Sequence, residues 1–170
     1  LREMRPGIRR VAILGNPDHP GEPLERAAAN EVARRYGLAI THYATRNPDE
    51  FQAAFAAMRA QPPQAISIFA DGIAIQNRGA LAGFGIVQRL PVISAWAVFA
   101  EAGALCTFGP RLAESYKRLA YFVDRILRGA KPEDLPIEQP TAFELVLNQK
   151  TATTIGLTFP PTLLAQADRI

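Results

Sequence analysis

Residues Lys131 to Ile170 read KPEDLPIEQPTAFELVLNQKTATTIGLTFPPTLLAQADRI. Prolines at 132, 136 and 140 punctuate a linker, after which Phe143-Glu144-Leu145-Val146-Leu147 has the β-branched and aromatic content of a strand. Lys150 to Ile155 reads as a short helix, closed by Gly156 and stopped by Pro160-Pro161. No catalytic motif falls in this stretch.

Immediately upstream, Arg111 to Arg128 is the clearest helix of the chain. Leu112, Tyr116, Leu119, Val123, Ile126 and Leu127 form one apolar stripe, while Glu114–Arg118 and Asp124–Arg128 are favourable pairs one turn apart. Farther back, strand and helix signals alternate. Apolar runs begin at Val11, Leu38, Ala65, Pro91 and Ala104, each bounded by turn residues. Between them lie helical stretches. Pro23 to Tyr36 carries Leu24, Ala28, Val32 and Tyr36 at every fourth position. Asn47-Pro48-Asp49-Glu50 opens a helix with Phe51, Ala54, Phe55 and Met58 on one face. A helix from about Ile75 to Gln88 turns Leu81, Phe84 and Val87 inward, and a short one runs through Phe99. Helix-length connections between buried strands imply parallel pairing. The fold class expected is α/β, a doubly wound parallel sheet of about five strands.

Composition narrows the function. At 170 residues the chain is long enough for one domain with a real core. With 48% hydrophobic and 21% charged residues, it is ordinary for a globular protein. No apolar run approaches the roughly 20 residues that span a bilayer. Arg2, Glu3, Arg5, Arg9 and Arg10 crowd the first residues, where no signal peptide is legible. Acidic and basic residues are interspersed despite a net charge of +3, so no nucleic-acid partner is expected. The single Cys106 excludes an internal disulfide, and its apolar neighbours mark it as a small buried hydrophobe.

In an open α/β sheet, ligands bind beyond the carboxyl ends of the strands. Asn16, Thr45, Arg46, Asp71, Trp96 and Phe99 fall there. Each also has a purely structural explanation: Asn16-Pro17 is a turn dipeptide, Asp71 can cap the next helix, and Trp96 can fill a core edge. As a site, Asn16, Asp71, Trp96 and Phe99 are the candidate ligand-binding residues. Asp71 would accept from an ammonium group, and Trp96 or Phe99 would stack on an apolar body. Enzyme signatures are missing: there is no glycine-rich dinucleotide or phosphate loop and no nucleophile elbow. His19 and His42 have no partner at ligand spacing. No enzyme activity, no cofactor and no metal are expected.

Arg9-Arg10-Val11-Ala12-Ile13-Leu14-Gly15-Asn16-Pro17, Phe108-Gly109-Pro110 and the 131–170 stretch, in this order, resemble the ABC-transporter substrate-binding proteins of the tryptophan/tyrosine type. The resemblance covers essentially the whole chain and is to the carboxyl-terminal half of that family. It implies one lobe of a type I periplasmic binding protein. Residues 1–110 would form the second, ligand-binding lobe, 111–130 the crossing helix, and 131–170 the returning strand, short helix and tail. The family's acidic position falls on Asp71 and its aromatic position on Trp96. The sequence departs from the family at Ala70-Asp71-Gly72-Ile73, where a proline-rich version is common, and at Val98, where a polar residue is frequent. The implied partners are a small organic solute, such as an aromatic amino acid, and an ABC permease in an extracytoplasmic setting. The competing reading is a ligand-sensing module of a regulator or receptor. The 111–128 helix is expected to be hidden, either folded back on its own lobe or, as favoured here, packed against a second copy in a homodimer.

Overall fold

The computed structural model describes residues 3–69 and 71–170. Leu1, Arg2 and Ala70 lie outside the described residues, so the expected close of the third strand at Ala70 goes with them. In chain order the elements are β1 (Arg10–Gly15), α1 (Glu22–Tyr36), β2 (Ala39–Ala44), α2 (Pro48–Ala60), β3 (Ala65–Ile68), α3 (Gly72–Gln76) and α4 (Arg78–Val87). They continue with β4 (Val92–Ser94), α5 (Ala97–Glu101), β5 (Cys106–Pro110), α6 (Leu112–Leu127), β6 (Phe143–Leu147), α7 (Gln149–Ile155) and α8 (Pro161–Leu164).

One six-stranded sheet runs in the order β2-β1-β3-β4-β5-β6. Every neighbouring pair from β2 to β5 is parallel, and β6 returns antiparallel to β5. This is the doubly wound architecture the alternating signals predict, with the returning strand as its edge. That edge is partly covered, since Val146 bridges in parallel to Arg169 of the tail.

Strand alternation sorts the core onto two faces. Ala12, Leu14, Ile66, Ile68 and Val92 meet Phe51, Phe55 and Met58 of α2, Leu81 and Phe84 of α4, and Phe99 of α5. Phe55 and Phe84 stack within this cluster with centroids 4.2 Å apart. Val11 and Ala65 point to the opposite face and pack with Ile8 and Leu38. A third cluster joins Leu105 and Leu147 to Ala152, Ile155 and Phe159.

Local chemistry explains the element ends. Asn47 caps α2 by accepting from the Glu50 N–H at 3.0 Å, with Pro48 at the first helical position. The Glu50 carboxylate in turn accepts from the Arg46 N–H at 2.8 Å, one residue before the cap. Gly37 ends α1 with φ of 63°, a conformation open to glycine at little cost.

Several expectations need correction. The stripe at Leu24, Val32 and Tyr36 is exposed, and α1 buries Glu22 and Ala33 instead. Every-fourth spacing drifts about 40° per step around a 3.6-residue helix, so such a row does not hold one face. The single helix expected from Ile75 to Gln88 is two, broken at Asn77, whose side chain donates to the Ile73 carbonyl at 2.8 Å. Val87, expected inward, is 77% exposed. Glu114 pairs with Lys117 rather than Arg118, because Arg118 is taken by Glu138 of the linker. Asp124–Arg128 forms as expected, at 2.9 Å.

The α6 helix has not folded back on its lobe: none of its residues is buried, and Leu127 is 82% exposed. It is tethered by polar groups at its root. Arg111 donates from its backbone to Ala142 at 3.0 Å and pairs through its guanidinium with Asp168. The Arg118 guanidinium pairs with Glu138 and lies 4.0 Å over the Tyr121 ring.

Gly109 is a packing requirement. A Cβ there would sit 2.2 Å from the Ala95 carbonyl oxygen, which belongs to backbone that cannot swing away. Gly109→Ala should lower unfolding stability by about 1–3 kcal/mol, as overpacking does. By contrast, a Cβ at Gly83 inside α4 meets nothing within 4 Å. Gly83→Ala should stabilise by about 0.5–1 kcal/mol. Chemical denaturation of the two variants checks the pair, and an unchanged Gly109→Ala midpoint would contradict the close approach.

Candidate functional site

Parallel pairing sends the ends of β1 to β5 to one edge, and the loops there are fixed by short polar contacts. After β1, the Asn16 side chain accepts from the Asp18 N–H at 3.0 Å and its carbonyl accepts from the His19 N–H at 3.0 Å. Asn16 is half-buried and spends its amide oxygen on this turn. After β2, Thr45 is buried and donates from its backbone to Gly15 at 3.1 Å. Arg46 reaches Glu50 at 3.0 Å and Asp18 at 3.4 Å, joining the two loops.

After β3 comes Asp71, only 6% exposed. Its Oδ1 accepts from the Ala74 N–H at 2.6 Å and so caps α3. Its Oδ2 is buried and has no hydrogen-bond partner among the described residues. Burying a polar oxygen without a partner costs about 1–3 kcal/mol. Capping alone therefore does not account for an aspartate at this position.

After β4, Trp96 is half-buried at the start of α5 and packs against the main core cluster, as do Ile73 and Ile75 of α3. Because Ile68 of β3 is in register with Ser94 of β4, Asp71 and Trp96 leave neighbouring strands within three residues of a paired position. Ser94 strengthens that junction by donating to the Ile68 carbonyl at 3.0 Å. Phe99 is elsewhere. It is 0% exposed and belongs to the core cluster between the helices and the sheet, so its ring supports α5 and does not line the rim.

A cleft of about 390 Å³ runs from this edge over the face of the sheet beside α1, across the in-register residues Ser67, Ile93 and Cys106. Its walls are Glu25 and Ala28 of α1, the ends of β3 and β4 from Ser67 to Phe69 and from Ile93 to Ala95, and Cys106 and Phe108 of β5. None of the four candidates from the sequence is among these walls. Glu25, Ser67 and Phe69 were not singled out by the sequence. A serine between the isoleucines of Ala65-Ile66-Ser67-Ile68 was the available signal, since a polar residue in a buried run marks the face that opens.

A larger hollow, about 690 Å³, lies between α6 and residues 138–142. Its charged side chains are already engaged, Arg118 with Glu138, Arg111 with Asp168 and Glu114 with Lys117. The Asp168 carboxyl is held below the usual carboxylate range by the Leu145 N–H and by Arg111.

The remaining reactive groups are quiet. Burial pushes the Cys106 thiol up to about 11, so at neutral pH it stays protonated and is a poor nucleophile. Burial, with Arg26 adding to it, lowers His42, whose Nε2 lies 3.2 Å from Asn30 Oδ1. His19 Nδ1 accepts from the Gly21 N–H at 3.2 Å. Among the described residues no three His, Cys, Asp or Glu side chains converge as metal ligands, and no helix is long and apolar enough to cross a membrane.

A family model, ABC transporter substrate binding protein, matches residues 1–170. No curated protein matches the chain. Among solved structures, a conserved domain protein from Vibrio cholerae superposes with a TM-score of 0.91 at 21% identity, covering 99% of this chain and 56% of that one. An ABC domain in complex with L-Trp from Streptococcus pneumoniae gives 0.90 at 18% identity, covering 99% and 57%. A ligand-free, open substrate-binding protein with adhesive properties from Clostridium difficile gives 0.73 at 17%, covering 100% and 57%. The chain thus spans little more than half the length of these neighbours, and the likeness is one of fold.

Proposed function

From the premise that this chain belongs to the ABC transporter substrate-binding protein family, we propose that it is the solute-binding component, or one lobe of it, of a bacterial ABC import system. In this reading residues 1–110 are the ligand-binding lobe, 111–130 the crossing helix, and 131–170 the returning strand and tail. Its partners are a small organic solute and an ABC permease, and it works outside the cytoplasm. The solute carries an ammonium group on an apolar or aromatic body, and aromatic amino acids are the first compounds to test.

The observation that carries this reading is the half-satisfied Asp71. One carboxylate oxygen caps α3, and the other is buried without a partner at the edge where α/β sheets bind ligands. A modest movement of α3 or of the solute's amine brings a charge-assisted bond to that oxygen, and Trp96, which follows the neighbouring strand, offers a rigid ring. The L-Trp complex of the structural neighbour supports a ligand of this kind.

One lobe alone buries too little of such a ligand, because small-molecule sites enclose roughly 70–90% of the ligand surface. Calorimetry with L-tryptophan, L-tyrosine and L-phenylalanine should therefore show binding to the full-length protein and little to residues 1–170 alone. In the full-length protein, Asp71→Asn keeps a capping oxygen but removes the charge, and should weaken binding by about 10- to 100-fold, the range of a hydrogen bond to a charged group. Equal affinity in the two proteins, or an unaffected Asp71→Asn variant, would contradict the reading.

The apolar face of α6 bears on the state of the isolated chain. Tyr116 is 66%, Leu119 56% and Leu127 82% exposed, a stripe that marks an interface. Residues 1–170 on their own are expected to form a homodimer through the 111–128 helix, with Leu119→Glu returning it to a monomer. Sedimentation at high concentration checks this, and a monomeric unsubstituted chain would refute it.

A further inference from the structure

No residue of α6 is fully buried, so deep packing on the lobe does not fix the direction in which this helix points. The direction is decided at its root. Arg111 follows Pro110, the last residue of β5, and Pro110 is in register with Phe143, the first of β6. The segments leaving and rejoining the sheet therefore lie side by side, joined by the Arg111 N–H to the Ala142 carbonyl at 3.0 Å. A single backbone bond at such a root acts as a pivot, and a contact to one side of it is needed to hold an angle.

The carboxyl-terminal tail supplies that contact. The N–H groups of Asp168 and Arg169 donate to the Leu145 carbonyl at 2.9 and 3.3 Å, and the Arg169 carbonyl accepts from the Leu147 N–H at 2.9 Å. The Arg169 guanidinium reaches Glu101 of α5 at 3.0 Å. Fastened in this way to the lobe, the Asp168 carboxylate divides its two oxygens. Oδ2 accepts from the Leu145 N–H of β6 at 2.9 Å, and Oδ1 accepts from the Arg111 guanidinium at the root of α6.

Farther out, α6 and the linker are fixed to each other. Both Glu138 carboxylate oxygens accept from the Arg118 guanidinium, which lies 4.0 Å from the Tyr121 ring centroid and 4.9 Å from that of Phe122. We propose that the tail is a strap that sets the angle of this arm to the sheet, with Arg111–Asp168 as its catch. Releasing the catch lets α6 and residues 138–142 swing together.

The exposure of the catch suits it to release. The Arg111 and Asp168 side chains are 45% and 34% exposed, and ion pairs in such settings are weak and screened by salt. The pair biases the arm without holding the fold together. Under the proposed function α6 is the crossing helix, so the strap sets where the element it leads to stands relative to the strand ends. The inference goes beyond that reading and is tested apart from any solute.

The test measures the distance between spin labels at Leu127→Cys on α6 and Val87→Cys on α4, both exposed positions. It uses the 170-residue chain with Cys106→Ala, and with Leu119→Glu to keep a second copy off the helix, circular dichroism confirming the fold. This parent should give one narrow distance distribution. Asp168→Asn keeps an oxygen for the Leu145 N–H but loses the charge, and should widen the distribution about twofold or more, as should Arg111→Gln. Added salt should widen the parent and leave the two variants as they are. Arg118→Gln should instead loosen a label at Ile137→Cys relative to Leu127→Cys while the distance from α6 to α4 stays narrow. If Asp168→Asn and Arg111→Gln move only the denaturation midpoint and leave the distribution narrow, the pair merely stabilises the fold and the strap is refuted. A parent as broad as its variants refutes it too. Should Asp168→Asn not fold, Arg111→Gln decides, because it leaves the Asp168 bond to β6 intact.

Discussion

Parallel pairing is the constraint on which the rest of this structure depends. An antiparallel sheet scatters strand ends over two edges, whereas β1 to β5 deliver theirs to one. Each connection between the parallel strands must then return through a helix, and the first helix of each begins near that same edge with unpaired N–H groups. Asp71 answers those groups at α3. Caps, turns and ligand contacts therefore compete for the same few polar side chains. The unpartnered Asp71 Oδ2 is the visible residue of that competition.

The edge is stiffened by contacts that a ligand does not need to supply. Arg46 ties the loop after β2 to Asp18 in the loop after β1, Ser94 ties β4 to β3, and Gly109 lets β5 approach the Ala95 backbone. On the far side, Asp168 accepts from both the Leu145 N–H and Arg111, so the tail clamps the points where α6 leaves the sheet and β6 rejoins it. A rigid rim of this kind holds a binding geometry without spending affinity on ordering it. The contrast with α6 is sharp: no residue of it is fully buried, and among the described residues it is held by contacts at its root and to the linker.

Much of this was legible in the sequence wherever local chemistry and tertiary packing agree. The five apolar runs became the parallel strands, Phe51, Ala54, Phe55 and Met58 went to the core, and Asn47 and Asp71 are helix caps. The sequence misled where burial depends on neighbours distant in the chain. Leu24, Val32 and Tyr36 looked like an inward row, yet α1 turns Ala33 and the Glu22–Arg26 pair toward the protein. Phe99 follows a strand end, as a rim residue should, but one helical turn rotates it into the core. Glu114 lost Arg118 to Glu138, a partner twenty residues away that no helix-local rule can foresee. Glu25 was hidden for a related reason: an acid in the first turn of a helix is ordinary, and only the fold shows that it lines a cleft.

The most direct test is a crystal structure of the full-length protein grown with tryptamine or L-tryptophan. The account predicts ligand density at the carboxyl ends of β3 and β4, with the amine within hydrogen-bond distance of Asp71 Oδ2 and the ring against Trp96. Density seated instead between α6 and residues 138–142, or an Asp71 carboxylate fully paired within the protein while the ligand binds elsewhere, would contradict it.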